Sequence, residues 1–157
     1  MERSVHRRRR AGSVGREWHH GGDEMIHEAK TDEHEVVLTI PARPEFLRLA
    51  RLAAADVGSR GGLAYEEVDD LRIAIDELCH TIMGAAVTQA ATAPRILELR
   101  FTILVDGVMI EGTCPSDAEP RPNDLSTAIL AAVIDEHELS ASAGASHFRM
   151  VKRVRIP

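Results

Sequence analysis

Between Glu35 and Pro41 the apolar side chains Val36, Leu38 and Ile40 fall at every second residue. That is the repeat of a half-buried strand, and Pro41 ends it. The spacing then changes to 3, 4, 3 through Leu47, Ala50, Ala54 and Val57. One face of a helix has this period, and Pro44 suits its first turn, where a missing N–H costs nothing. Gly58 and Gly61-Gly62 are expected to stop it. The longest stripe is Val68, Leu71, Ile75, Leu78 and Ile82, at spacings 3, 4, 3 and 4. It predicts a second helix from Tyr65 to about Ala86 with one core-facing side.

Alternation returns through Leu97, Leu99, Phe101, Ile103 and Val105 up to Asp106-Gly107, a two-residue hairpin signal, with Val108 and Ile110 opening the return strand. Residues 113–124 form a proline-rich loop. Ile129, Leu130, Val133 and Ile134 predict a third helix from Leu125 to about Glu136, and a last strand holds Phe148 and Met150. The basic residues Lys152, Arg153 and Arg155 fall beyond that strand. The order is strand, helix, helix, hairpin, loop, helix, strand. It predicts an α+β fold, a two-layer sandwich with helices on one face of a mixed, largely antiparallel sheet.

Residues 1–33 lack both periods. Arg7-Arg8-Arg9-Arg10, Gly12, Gly15 and Gly21-Gly22 read as a disordered N-terminal tail preceding one domain over 34–157. Two other readings stay open: a nucleic-acid or metal arm, given His19-His20, and a leader that is not translated, with Met25 as the true start. The net charge of −6 is uneven, because six arginines and four acids in residues 1–24 leave about −8 on the remainder. A body of that sign is a poor direct nucleic-acid binder. No apolar run approaches the ~20 residues of a membrane span, and no apolar stretch follows the N-terminal arginines as a secretory signal requires. Cys79 and Cys114 are too few for a secreted disulfide framework and have no zinc-motif spacing. A cytoplasmic location follows by elimination. The two cysteines read as buried thiols or, alternatively, as a regulatory disulfide. The eight histidines show no metal-ligand spacing, and His80 reads as an ordinary helix residue.

The element order, together with Asp70-Leu-Arg-Ile-Ala-Ile-Asp-Glu-Leu-Cys-His-Thr81, resembles the RsbW-type anti-sigma factors, which are serine kinases of the histidine-kinase-like ATPase fold. The opening IPARPEFLRLAR and the closing FRMVKRV support the resemblance, which spans roughly Glu35 to Arg155. It implies a protein that holds a sigma factor inactive and is released by an anti-anti-sigma antagonist. It also implies a homodimer. In the family the second helix carries a general-base Glu and, four residues later, an Asn that helps hold Mg²⁺ against the ATP phosphates. Glu77 stands at the first position and Thr81 at the second. At about 100° per residue the two point within about 40° of each other, on a flank shared with Ala74 and Ala85. Such a flank is also what an ordinary amphipathic helix offers.

The other nucleotide motifs are eroded. The family's Asp-x-Gly-x-Gly, whose Asp reads the adenine amino group, corresponds here to Gly112-Thr-Cys-Pro-Ser-Asp-Ala-Glu-Pro120. Thr113 or Cys114 falls at the Asp position, depending on strand parity, and no glycine follows. The glycine-rich phosphate motif is replaced by Asn123-Asp-Leu-Ser-Thr-Ala-Ile129, where Asp124 adds negative charge. The resemblance therefore implies a serine kinase by descent with degenerate chemistry. ATP and Mg²⁺ are cofactors if the pocket functions, and otherwise there is none. An active kinase that phosphorylates the antagonist, with Glu77 as base and Thr81 replacing the Asn, is the alternative. So is a regulator of the same fold whose partner is not a sigma factor. In the family an outer-face arginine of the first helix contacts the partners, and counting from Pro41 that position is Arg51. A solvated helix arginine is its plainer reading.

Removal of residues 1–30 is expected to leave the thermal midpoint unchanged, since a glycine- and arginine-rich leader buries little apolar surface. A fall of several degrees in a melting experiment would show that the leader packs on the domain.

Overall fold

A computed structural model describes residues 34–84 and 94–156. The expected tail, the Ala85-Ala86 end of the second helix and the segment before Pro94 lie outside the described residues. Five strands form one sheet in the order β1-β2-β3-β5-β4: β1 Glu35–Pro41, β2 Ile96–Leu104, β3 Gly107–Pro115, β4 Glu136–Ser142 and β5 Ala145–Arg153. Every neighbouring pair is antiparallel, so among the described residues the sheet is not mixed. Three helices pack on it: α1 Leu47–Arg60, α2 Tyr65–Gly84 and α3 Asp124–Val133.

Period explains the layering. Leu97, Leu99 and Phe101 of β2, Val108, Ile110 and Cys114 of β3, and Phe148 and Met150 of β5 are all buried in one cluster with the helix stripes. Those stripes are the expected ones: Leu47, Ala50, Ala54 and Val57 on α1, and Val68, Leu71, Ile75, Leu78 and Ile82 on α2. The opposite sheet face is polar. Arg100, Glu111, Arg149 and Glu138 follow one another across β2, β3, β5 and β4.

Glycines and caps set the ends. α1 passes through Gly58 and stops at Arg60, so Gly58 does not end it. It is a packing position, where an added Cβ would lie 3.2 Å from the Leu71 side chain. The chain turns at Gly62, whose φ of +82° is open to glycine. Glu67 then begins α2 by accepting the Ala64 N–H at 2.7 Å, and its other oxygen accepts the Arg155 N–H at 2.7 Å. The buried carboxylate thus ties the C-terminal segment to the helix start. Asn123 caps α3 by accepting the Ser126 N–H at 2.8 Å.

Four local expectations are corrected. The hairpin turn is Val105-Asp106, because Leu104 pairs with Gly107 inside the ladder. Gly107 is there for space: a Cβ would come within 2.1 Å of the Lys152 carbonyl oxygen. The third helix ends at Val133, since Ile134 is already extended at φ −128° and ψ 158°. Residues 136–142 form the edge strand β4, which the sequence pattern does not announce; it joins β5 through Ala143-Gly144, both at positive φ. Lastly, Lys152 lies within β5 and is 1% exposed, not beyond the strand. Its Nζ donates to Asp70 of α2 at 2.9 Å and to the Val133 carbonyl at the end of α3 at 2.7 Å.

A buried ammonium with two good acceptors is stable, but removal of either side strands the other. Lys152→Ala is expected to cost about 3 kcal/mol in urea denaturation. Lys152→Met, which keeps the side-chain volume, is expected to cost clearly less. Equal losses would assign the effect to the ammonium and its two bonds, and a harmless Lys152→Met would assign it to volume alone.

Candidate functional site

α2 buries its apolar stripe against α1, α3 and the sheet and leaves Asp69, Arg72, Asp76 and Glu77 on its open side. Arg51 meets that open side from α1. Its Nη1 donates to Oδ1 of Asp76, and the two side chains are 38% and 30% exposed. Nδ1 of His80 lies 2.8 Å from the Asp76 carbonyl oxygen and 3.4 Å from Oδ2. One turn back, Arg72 donates to Asp69 at 2.9 Å. Arg51, Asp69, Arg72, Ile73, Asp76 and Glu77 line one groove of about 460 Å³. The candidate contact residue Arg51 and the candidate base Glu77 therefore share a wall.

Glu77 is half-buried and turned toward α3, where its Oε2 accepts the Ser126 hydroxyl at 2.7 Å. Thr81 lies on the same flank, but its hydroxyl donates to the Glu77 backbone carbonyl at 2.9 Å. Such a bond spends the donor on the residue's own helix. Ala74 on this flank is fully buried, and Ala85 lies outside the described residues.

Strand parity separates the other two candidates. Thr113 points to the open sheet face, with Oγ1 3.1 Å from Nδ1 of His147. Cys114 is buried on the helix side, where Nη2 of Arg95 donates to its sulfur at 3.1 Å and to the Met83 carbonyl at 3.0 Å. Nε of Arg95 reaches the Pro115 carbonyl at 3.3 Å. Of the pair, Cys114 shares a face with α2 and Thr113 does not. Burial pushes the Cys79 thiol far above its ordinary value, and the nearby Asp76 and Cys114 push it the same way. Burial also raises Cys114, against a lowering by Arg95.

Three residues of this region have no counterpart among the sequence candidates: Asp76, Ser126 and Arg95. Asp76 carried a usable signal, since α1 and α2 are joined by a few residues and must run antiparallel. Positions facing each other across that turn are predictable pairs.

The fold and the groove define a small α+β sandwich of the histidine-kinase-like ATPase type. A likeness to a solved structure supports the fold. The RsbU and RsbW domains of a Mycobacterium tuberculosis protein align over 78% of this chain and 33% of that one, with a TM-score of 0.57 and 16% identity. Among curated proteins, the serine-protein kinase RsbW of Bacillus pumilus is 38% identical over 77 residues, 45% of this chain and 48% of its own. The serine-protein kinase RsbW of Bacillus thuringiensis is 35% identical over 75 residues, 45% of this chain and 47% of its own. That of Listeria monocytogenes is 40% identical over 47 residues, 30% of each chain. The chain is thus similar over part of its length to serine-protein kinases RsbW, and it spans about half the length of the first of these. No family model matches it.

The residues present are a poor fit to a nucleotide and its Mg²⁺. Of the two residues that the resemblance offers for the adenine-reading carboxylate, neither is acidic: Cys114 accepts from Arg95, and Thr113 lies beside His147 on the other sheet face. The Thr81 hydroxyl is committed to its helix, and Ser126 occupies an oxygen of Glu77.

Raised thiol pKa values leave less thiolate than the ordinary 9.0 would give. At pH 8 a disulfide-exchange reagent is expected to titrate neither cysteine quickly in the folded protein and both in guanidinium. For these groups the folded state holds protons that the unfolded state releases, so stability falls as pH rises past about 9. Fast labelling of one native thiol would show that the helix–strand seam opens.

Proposed function

We propose that the chain is an anti-sigma regulatory factor. It binds a sigma factor through the α1–α2 face around Arg51, sequesters it, and releases it to an anti-anti-sigma antagonist, without depending on ATP. The reading places it in the cytoplasm as a homodimer. One observation carries it: the positions that the family uses for nucleotide chemistry are engaged inside the fold, whereas Arg51 stands part-exposed in an open groove. Sequestration needs a surface and not a reaction.

Magnitudes agree with that division. A missing Mg²⁺ ligand, adenine reader and phosphate cradle act on separate parts of the affinity. Even about 1.4 kcal/mol from each would weaken nucleotide binding about a thousandfold. A central arginine in a partner interface is worth about 2 kcal/mol or more, and it is unaffected by those losses.

Glu77 keeps a second reading in play. It remains a carboxylate beside a groove, as the general base of an ATP-dependent serine kinase phosphorylating an antagonist would be, and its bond to Ser126 is one that a rearrangement of α3 could release. Titration calorimetry of the full chain with Mg-ATP is expected to show no saturable heat below about 1 mM. Micromolar binding with adenine selectivity would favour the kinase. The sigma factors of the source genome, expressed and purified one by one, form the second assay. At least one is expected to bind, and Arg51→Ala is expected to weaken it by about 2 kcal/mol while changing stability by roughly 0.5 kcal/mol. If none binds the parent chain, the anti-sigma reading is wrong.

A further inference from the structure

Arg51 is not a free surface arginine. Nη1 is anchored to Asp76, and the Nε and Nη2 donors have no protein acceptor among the described residues. A guanidinium offers five N–H donors in a rigid fork. One prong is therefore fixed, and the adjacent edge is left for an incoming group. The anchor is stiff. Asp76 sits mid-helix beside the fully buried Ile75. Its carbonyl and second carboxylate oxygen lie against His80, and the next residue, Glu77, is bonded to α3.

A second arginine repeats the arrangement. Arg72 is held by Asp69 at 2.9 Å, and between the two braced arginines Ile73 is 46% exposed in the same groove. An aliphatic floor between two oriented guanidinium groups matches one kind of partner feature: a carboxylate beside an aliphatic side chain, as one turn of an amphipathic acidic helix presents them.

We propose that Asp76 is a positioning residue for partner recognition. It holds the Arg51 fork so that its free edge takes a partner carboxylate in bidentate fashion, the arrangement in which arginine is most selective. A long side chain already fixed by an internal partner loses less rotamer freedom on binding than a free one. The inference rests on the reading of Arg51 as a partner contact, and it adds the chemistry of what Arg51 contacts and the residue that prepares it.

A double-mutant cycle separates the two. The probe is the purified sigma factor that binds the full-length parent, with dissociation followed by surface plasmon resonance. Asp76→Ala is expected to speed dissociation about three- to tenfold, by analogy with interface pairs that act through one another. Asp76→Asn keeps an acceptor oxygen in place and is expected to recover most of that loss. In the Arg51→Ala background, Asp76→Ala is expected to have no further effect, which a merely destabilising change would not reproduce. Tighter or unchanged binding by Asp76→Ala, with Arg51→Ala still weakened, overturns the positioning role alone; Asp76 would then compete for the arginine or be idle. An effect of Asp76→Ala that persists without Arg51 also overturns it, because Asp76 would then touch the partner itself. Parent-like binding by Arg51→Ala removes the underlying reading instead, and this inference with it.

Discussion

The burial of α2 on three sides governs the helical layer. Leu71, Ile75, Leu78 and Ile82 face the sheet, Ala74 and Cys79 are closed off on its flanks, and Glu67 at its start is pinned to the C-terminal segment. Asp69, Arg72, Asp76, Glu77 and His80 crowd onto the side of the helix that is left open, while Asp70 turns to Lys152. Confinement makes these residues neighbours, and each must then find a partner close by. Arg51 from α1, Ser126 from α3 and Arg72 on the helix itself supply three of them.

Two consecutive residues therefore join the helical layer in opposite directions. Asp76 reaches to α1, and Glu77 reaches to α3. The first bond lies in the open groove, and the second ties the Glu77 flank of α2 to α3. No glycine stands between Cys114 and Asp124, so the segment from the end of β3 to the start of α3 lacks the backbone freedom that glycine gives to close phosphate contact.

Much of the fold was legible because burial and period agree. Both helix stripes name residues that are buried in the structure, and so does the hairpin alternation apart from part-buried Ile103 and Val105, which is exposed in the turn. The failures share a cause: each depends on a neighbour distant in sequence. β4 has no apolar alternation, with Leu139 its one part-buried side chain, and it is a strand because β5 offers a pairing edge and Ala143-Gly144 a tight turn. The hairpin turn moves by one residue because Gly107 answers to β5 and not to the turn. Lys152 continues the inward period of Phe148 and Met150, but charge argued against burial until Asp70 and Val133 supplied acceptors. The site follows the same rule. Glu77 and Thr81 could be paired on one helix, but choosing between Thr113 and Cys114 required strand parity, and finding Asp76 required knowing which helix faces Arg51.

The character of β4 has a further effect. An edge strand is a row of unused N–H and C=O groups, a template on which a second chain can add itself and polymerise. Here that row is flanked by Glu136, His137 and Glu138, nearly all side chains are exposed, and no apolar run invites stacking. In a parallel, in-register pairing of two such edges each carboxylate would face its own copy, and like charges directly opposite repel. The same lack of apolar pattern that hides the strand from sequence reading makes that edge a poor template for a second copy.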